Sequence, residues 1–295
     1  MRRIARGATL VAVVSAVAQE YVAARYYART PGPSRFLEED EQTAWTAPWH
    51  EMLAPAELAW FGASLLARAE GLPRGAGQPV VLVPGFLLRG SYLQPLRAAL
   101  ARTGYRAEVA AIGRNADCID VMTGRLREVV AAAGAAGGSP VHLIGHSMGG
   151  LLARAAAVLD PERVASVTTL GAPYRGLRMH PALRATAMVV RALTHARRGP
   201  GVRPGCLTLA CDCDAVCALA TPVSPAVPHL SIVTRHDGLA DWRYGTDPDR
   251  ARVVEVTASH LGLVWNLTAY RAIAHHLAAA RPAEGVAAEG QRSGR

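Results

Sequence analysis

One serine stands between two glycines in the stretch GHSMGG, where Gly145 and Gly149 lie two positions to either side of Ser147. An apolar run, PVHLI, precedes this stretch, and an Ala- and Leu-rich run follows it. A sharp strand–turn–helix pushes a serine hydroxyl out of the chain as a nucleophile, and its tightness requires glycine at both flanking positions. A hydroxyl attacks a carbonyl carbon well only when a base takes its proton and dipoles receive the negative charge on oxygen.

The base for Ser147 is expected late in the chain, with its orienting acid between the two. His260 stands in the loop between the β-rich run VVEVTA and the last helix-like stretch, where a side chain reaches the carboxyl ends of the strands. We therefore predict His260 as the base. Other histidines fit strand packing, the turn itself, the region 175–229 or a solvated helix face: His142, His146, His180, His195, His229, His275 and His276.

The stretch SIVTRHDGLADW offers two acids. Asp237 directly follows a β-rich run and precedes Gly238, as is typical of a loop at the end of a strand. Asp241 lies further on and is suited to capping or to pairing with Arg243. We predict Asp237 as the acid that holds the tautomer of His260 and stabilises its imidazolium form.

The backbone N–H groups of Phe86 and Met148 are the predicted donors to the oxyanion. Met148 directly follows the nucleophile and begins a helix whose first N–H groups point at the developing charge. The stretch VLVPGF ends an earlier strand, and Gly85 lets the chain turn so that the N–H of Phe86 faces the site.

Short apolar strands alternate with helices along the chain. The strand candidates are QPVVLVPGF, YRAEVAAIG, PVHLIGHS, VASVTTLGAP, HLSIVTRHD and RVVEVTA. Helices are predicted near residues 55–72, 93–103, 119–133, 149–159, 181–196 and 264–280. This alternation predicts an α/β fold with a mostly parallel central sheet covered by helices on both faces.

We predict that the chain divides into an N-terminal helical segment at 1–76, a domain at 77–282 with an insertion at 175–229, and a disordered tail at 283–295. Three arginines before an apolar run at 8–18, followed by small residues, fit a secretory signal. That run is too short to span a bilayer, and an amphipathic, membrane-associated helix is the alternative. We favour an extracytoplasmic or membrane-associated location over a cytoplasmic one.

The composition and motifs of the chain limit which partners and cofactors can be expected. The formal net charge is +9, and all 32 basic residues are arginine, but they are scattered and only 5% of the 295 residues are aromatic. No basic stripe with stacking aromatics results, so a nucleic-acid partner is not expected. Neither a G-x-G-x-x-G unit nor a G-x-x-x-x-G-K-[ST] loop is present, so we expect no cofactor. The oligomeric state stays open.

Four cysteines crowd into the stretch CLTLACDCDAVC: Cys206, Cys211, Cys213 and Cys217. Disulfides that tie down the insertion, a metal site and packed free thiols are all open interpretations. The spacing lacks the paired C-x-x-C units typical of zinc sites, and we expect no metal. We predict that the insertion lies over Ser147 as a lid, held by at least one disulfide among these cysteines.

Five motifs resemble the α/β-hydrolase family, and specifically its bacterial lipase and esterase branch, in order and approximate spacing: LVPGF, LIGHSMGGLLAR, TLGAPYRGL, DGLADWR and SHLGLVWN. The resemblance covers about residues 78–280. It implies that Ser147, Asp237 and His260 form a catalytic triad, that Phe86 and Met148 form the oxyanion hole, and that TLGAPYRGL introduces a lid.

The implied function is hydrolysis of a carboxylic ester, with a small-molecule or lipid substrate, through an acyl-enzyme on Ser147. Two other functions fit the same residues. An acyltransferase would use an alcohol instead of water, and a non-catalytic, membrane-associated protein would keep only the scaffold.

Overall fold

The computed structural model describes residues 48–68, 71–176, 179–198, 212–247 and 249–280. Within these ranges six strands form one sheet: β1 (Pro79–Val83), β2 (Arg106–Val109), β3 (Val141–His146), β4 (Val164–Leu170), β5 (His229–Val233) and β6 (Arg252–Glu255). Their order is β2-β1-β3-β4-β5-β6, and every neighbouring pair is parallel. All six strands therefore end at the same edge of the sheet.

Helices cover both faces of the sheet: α1 (Ala54–Arg68), α2 (Gln94–Arg102), α3 (Ile119–Gly137), α4 (Met148–Leu159), α5 (Pro181–Arg198), α6 (Asp214–Ala220) and α7 (Leu267–Ala279). Side chains of β1 alternate between the faces, with Val81 packed on the cluster that includes α3, α4 and α6. Val80 and Leu82 pack on the opposite cluster, which includes α1, α2 and α7. The predicted α/β class, with helices on both faces of a parallel sheet, is confirmed.

The strand order reverses between β1 and β3, because the chain leaves β1 toward β2 and then returns to the other side of β1. A parallel sheet leaves a crevice at such a point, outside the carboxyl ends of the strands. The loop after β1 carries Phe86, and the turn after β3 carries Ser147. The topology alone thus brings two of the predicted site residues to one crevice.

The described part of the insertion holds two helices, whereas the sequence analysis predicted one. The predicted helix near 181–196 is α5. The missed helix, α6, packs against α4 through Val216 and Leu219, which are buried. Arg154 of α4 donates hydrogen bonds to the carbonyl oxygens of Leu219 (2.7 Å) and Thr221 (2.9 Å), and so caps the end of α6. This helix has only seven residues, too few to show a helical period in the sequence.

Other helix boundaries also differ from the prediction, as two examples show. Helix α3 continues four residues beyond 133, to Gly137, where Gly138 adopts a left-handed φ of 65°. The last helix begins at Leu267 instead of 264, because a 3-10 helix at Leu261–Trp265 comes first and Asn266 caps α7.

Several predictions fall on residues outside the described ranges: the signal-like segment within 1–47, the tail from 281, and Cys206 and Cys211. The disulfide prediction therefore stays a prediction. Cys213 is buried and Cys217 is half-buried, and no disulfide joins these two. No described helix combines the length and apolar character that a membrane crossing needs.

Candidate active site

Ser147 occupies a strained turn between β3 and α4. Its φ of 55° and ψ of −125° lie in a region that non-glycine residues rarely adopt. A side chain on Gly145 would overlap the carbonyl oxygen of Gly149, and one on Gly149 would overlap that of Val83. Both glycines are needed because the backbone segments touch, as the sequence analysis expected. The N–H of Ser147 donates to the carbonyl of Leu170 at 2.8 Å and ties the turn to β4.

Asp237 and His260 form a buried pair at the carboxyl edge of the sheet. The distance from His260 Nδ1 to Asp237 Oδ2 is 2.6 Å, and the two residues are 3% and 1% exposed. The other carboxylate oxygen, Oδ1, accepts hydrogen bonds from the N–H groups of Leu239 (2.9 Å) and Ala240 (2.7 Å). The loop after β5 thus fixes the carboxylate and leaves Oδ2 for the imidazole.

The charges around His260 favour its protonated form. Burial acts to lower its pKa, because a buried imidazolium loses hydration. The charge and the hydrogen bond of Asp237, together with the charge of Glu51, oppose burial and raise the pKa above its ordinary value. A proton taken up by this imidazole is therefore stabilised.

Asp241 has the structural role that the sequence indicated. Its carboxylate accepts from Arg243 at the backbone N–H (3.1 Å), at Nε (3.1 Å) and at Nη2 (2.9 Å). It caps the 3-10 helix at Trp242–Gly245. Asp237, and not Asp241, is the partner of His260.

Ser147 and His260 line one open cavity, together with Phe86, Met148 and Ala240. The loop after β1 lies directly against Ser147, because a side-chain carbon added to Gly85 would be 3.3 Å from Cβ of Ser147. The structure thus brings together Ser147, His260 and both predicted oxyanion residues.

The rest of the cavity wall is apolar: Leu151, Pro173, Met179, Leu183 and Ala187. Met179 also forms an isolated antiparallel bridge with Ala240, beside the loop of Asp237. Three of these residues, Met179, Leu183 and Ala187, come from the insertion. Its described part therefore lies beside Ser147.

A hydrogen-bond chain links the loop after β1 to the backbone of His260. His146 Nε2 lies 3.0 Å from the carbonyl oxygen of His260, which can only accept, so Nε2 carries the proton. His146 Nδ1 then accepts from the hydroxyl of Tyr92 at 2.9 Å, and the Tyr92 oxygen accepts the N–H of Gly85 at 2.8 Å. With a neutral His146, each donor and acceptor in this series of hydrogen bonds has a partner.

Burial agrees with that assignment. It lowers the pKa of His146 to about 3, helped by the nearby charge of His260, and it raises the pKa of the Tyr92 hydroxyl. Sequence reasoning missed Tyr92 and treated His146 only as the turn residue. The stretch RGSYL carries no motif that points to an active-site tyrosine.

A buried asparagine holds the loop after β1 from its other side. Asn115 Nδ2 donates to the backbone carbonyl of Pro84 at 2.9 Å, and the backbone carbonyl of Asn115 accepts the N–H of Leu87 at 2.8 Å. Leu87 has a φ of 62°, so this loop, like Ser147, holds a non-glycine residue in the left-handed region. Strain of this kind persists only where the contacts of surrounding residues hold the strained residue in place.

Two histidines on α7 behave differently from each other. His275 is exposed, as expected of a solvated helix face, but His276 is buried at 6% exposure, so that expectation is wrong for His276. The reason is tertiary packing: the backbone of β4 and of the residue before β5 lies against it. His142, also buried, bonds through Nδ1 to Ser166 at 2.8 Å within the sheet, as its predicted packing role requires.

Comparison with known proteins gives the same fold. A family model described as the alpha/beta hydrolase fold matches residues 126–205. Over 51 residues the chain is 53% identical to a triacylglycerol lipase of Pseudarthrobacter phenanthrenivorans; this match covers 17% of the chain, which thus spans only 15% of that relative's length.

Two solved structures extend the likeness to most of the chain. A soluble variant of monoglyceride lipase from Saccharomyces cerevisiae aligns with a TM-score of 0.50 at 13% identity, covering 72% of this chain and 91% of that one. A structure of the metagenome-derived lipolytic enzymes LipS and LipT aligns with a TM-score of 0.50 at 19% identity, covering 69% and 95%. With the all-parallel sheet, these matches identify the chain as an α/β-hydrolase-fold protein, similar to lipases and esterases of that fold.

Proposed function

We propose that the chain is a serine hydrolase that cleaves carboxylic esters with an apolar acyl group, through an acyl-enzyme on Ser147. One observation carries the proposal: the buried pair of Asp237 and His260 opens onto the same cavity as a serine held on a strained strand-to-helix turn. A base oriented by a carboxylate beside a serine is the arrangement that nucleophilic acyl transfer requires.

In the first half-reaction, Ser147 Oγ attacks the ester carbonyl carbon while His260 Nε2 takes the hydroxyl proton. The N–H groups of Phe86 and Met148 stabilise the negative charge on the former carbonyl oxygen. The C–O bond to the alcohol then breaks, and the imidazolium returns the proton to the departing oxygen. In the second half-reaction, His260 takes a proton from water while the water oxygen attacks the acyl carbon. The bond to Ser147 Oγ then breaks, the proton returns to Ser147 Oγ, and the acid is released.

The apolar wall supports an acyl chain as the group that the cavity accommodates. Eight of the ten lining residues are apolar, and Ser147 and His260 are the two exceptions. Each methylene group moved from water into such surroundings gains about 0.8 kcal/mol. The curated relative is named a triacylglycerol lipase and the aligned yeast protein a monoglyceride lipase, which also supports esters of fatty acids.

We extend the proposal to the insertion at 175–229 as a lid over the acyl site. Its support is the position of Met179, Leu183 and Ala187 on the cavity wall. A lid of this kind excludes water from the oxyanion site. Thiol titration of the denatured, unreduced protein tests the disulfide that we predict within the lid, and five free thiols would contradict it.

The decisive experiment labels the protein with a fluorophosphonate and measures turnover of p-nitrophenyl esters of increasing acyl length. We expect labelling of the wild type, and a loss of about three or more orders of magnitude in turnover for Ser147→Ala. Undiminished labelling of folded Ser147→Ala would contradict the nucleophile. Added primary alcohol distinguishes the acceptors, because an acyltransferase yields a new ester where a hydrolase yields the acid.

A further inference from the structure

Two glutamates from the segment at 48–68 lie against the loops of Asp237 and His260. Glu51 accepts hydrogen bonds from the N–H groups of His260 (2.9 Å) and Leu261 (3.1 Å), one to each carboxylate oxygen. The oxygen that faces His260 also receives a long contact of 3.4 Å from the N–H of Gly238. One carboxylate thus connects the residue after the acid to the backbone of the base.

Glu57 binds the residue before the base. One carboxylate oxygen accepts the N–H of Ser259 at 2.7 Å, and the other accepts the Ser259 hydroxyl. The hydroxyl oxygen in turn accepts the N–H of Gly262 at 2.9 Å. A side chain on Gly262 would overlap the Glu57 carboxylate and displace it from this position.

These contacts satisfy the start of the 3-10 helix at Leu261–Trp265. The first N–H groups of a helix have no partner within it, and they carry partial positive charge. Here the N–H groups of Ser259, His260 and Leu261 are all taken by the two carboxylates. Charge-assisted hydrogen bonds of this type are about twice as strong as neutral ones.

The helix that carries Glu57 is itself anchored. Phe61 of α1 is fully buried in the core and meets Tyr270 of α7 edge-on, with ring centroids 6.1 Å apart. Ala54, at the beginning of α1, is also buried. Glu57 therefore extends from a packed helix, and Glu51 lies in the 3-10 helix at Pro48–Leu53 that directly precedes it.

Three titratable groups face the imidazole of His260. Asp237 comes from the loop after β5, Glu51 from the 3-10 helix at Pro48–Leu53, and His146 from the end of β3, with its ring centroid 4.8 Å from that of His260. His146 is neutral at pH 7, because burial lowers its pKa to about 3. The two carboxylates are thus the charges that stabilise the imidazolium.

We propose that Glu51 is a positioning residue for the reaction, and that Glu57 supports it by holding Ser259. In this role the segment at 48–68, which lies outside the stretch that resembles lipases, is part of the catalytic apparatus. Glu51 fixes the backbone of His260 relative to the loop of Asp237 and adds negative charge beside the imidazolium. The inference rests on the proposed function, because it concerns the same base.

Variants in the full-length chain test the role of Glu51. Glu51→Gln keeps the length and one acceptor oxygen but loses the charge and turns an N–H donor toward a backbone N–H. With p-nitrophenyl butyrate we expect kcat to fall about 10-fold for Glu51→Gln and about 100-fold for Glu51→Ala, with KM within about 2-fold, because small displacements of a base are costly. Glu57→Gln should lower kcat less than Glu51→Gln does.

The acidic limb of the kcat profile gives a readout that a packing role would not change. Removing the charge of Glu51 lowers the pKa of His260, so the limb of Glu51→Gln should move to lower pH. The matched control is Glu162→Gln, which removes an exposed carboxylate paired only with Arg163, at 3.6 Å. Its kcat and limb should equal those of the wild type.

If folded Glu51→Gln and the wild type have the same kcat and the same midpoint of the acidic limb of the kcat–pH profile, the inference is overturned. If Glu51→Ala does not fold, Glu51→Gln decides. NMR titration of the His260 imidazole, assigned with His260→Gln, does not depend on turnover. A wild type inert to esters and fluorophosphonates would contradict the proposed function alone. A His260 titration unchanged by Glu51→Gln would contradict the inference alone.

Discussion

The imidazole of His146 donates through Nε2 to the backbone carbonyl of His260 at 3.0 Å, across 114 positions of sequence. The residue before the predicted nucleophile thereby holds the main chain of the predicted base. Through Tyr92 the same imidazole also reaches Gly85, at the start of the loop that carries the predicted oxyanion donor Phe86. Three segments of the proposed site share one hydrogen-bond chain, so a change in any member is expected to affect the others.

Removal of the Tyr92 hydroxyl tests this chain. Tyr92→Phe leaves the N–H of Gly85 and the Nδ1 of His146 without their partner, which costs about 1–3 kcal/mol per unsatisfied buried group. We expect kcat for p-nitrophenyl butyrate to fall about 10-fold as the oxyanion loop loosens.

Tyr270→Phe is the matched control for Tyr92→Phe. Its hydroxyl donates to the carbonyl of Ala99 at 3.0 Å, away from the cavity. It should lower the free energy of unfolding, measured with urea, and leave kcat unchanged. Equal kcat for Tyr92→Phe and wild type would show that the hydrogen-bond chain through Tyr92 does not support catalysis.

The pair of Asp237 and His260 predicts a defined pH dependence. His260 must be neutral to accept the serine proton, and its pKa is raised, so kcat/KM should rise with pH through a midpoint above the ordinary histidine value of about 6.5. Asp237→Asn removes the charge that opposes burial. Its limb should therefore shift to lower pH, and kcat should drop by about four orders of magnitude.

Asp241→Asn is the control for Asp237→Asn, because it breaks the contact with Arg243 and leaves His260 paired. We expect lower stability in urea with most of kcat retained. A larger loss of kcat for Asp241→Asn than for Asp237→Asn would contradict the assignment of the acid.

Buried neutral histidines predict loss of stability in acid. Burial lowers the pKa of His146 and of His229 to about 3, and that of His276 to about 4. Below about pH 6.5 the unfolded chain binds protons at these three positions while the folded chain does not. The free energy of unfolding should therefore fall as pH drops from 6.5 toward 4, by at most about 1.4 kcal/mol per pH unit for each histidine.

Urea unfolding at pH 7.5, 6.0 and 5.0 measures this slope. His276→Gln, on α7 and away from the cavity, should reduce the slope by one histidine without changing kcat. An unchanged slope would show that His276 titrates equally in both states.

The cavity wall predicts acyl-chain preference. Leu183→Ala removes apolar surface that an acyl chain would contact, at a cost of about 1–3 kcal/mol in transition-state binding. We expect kcat/KM for p-nitrophenyl octanoate to fall by about 10-fold while that for the acetate stays within about 2-fold. Val189→Ala, on the same helix but 51% exposed, should change neither ester. Equal losses for both esters would place Leu183 outside the acyl site.

Local patterns in the sequence were enough for the fold class and for the candidate nucleophile, acid and base. The alternation of apolar strands and helices predicts the parallel sheet, and steric crowding at Gly145 and Gly149 follows from the turn that Ser147 needs. Asp237 and His260 each follow a β-rich run, and parallel strands all end at one edge. Their convergence is therefore a consequence of topology that the sequence already contains.

Only the tertiary structure brought Glu51, Glu57 and Tyr92 to the site. Glu51 lies 209 positions before His260 and Glu57 lies 202 before Ser259, and no local pattern distinguishes a glutamate that binds backbone N–H groups from one in solvent. His276 is buried for the same reason, since the face of a helix that meets the core depends on its neighbours. Contacts between distant segments depend on how the whole core packs, and the local periodicity of the sequence does not predict them.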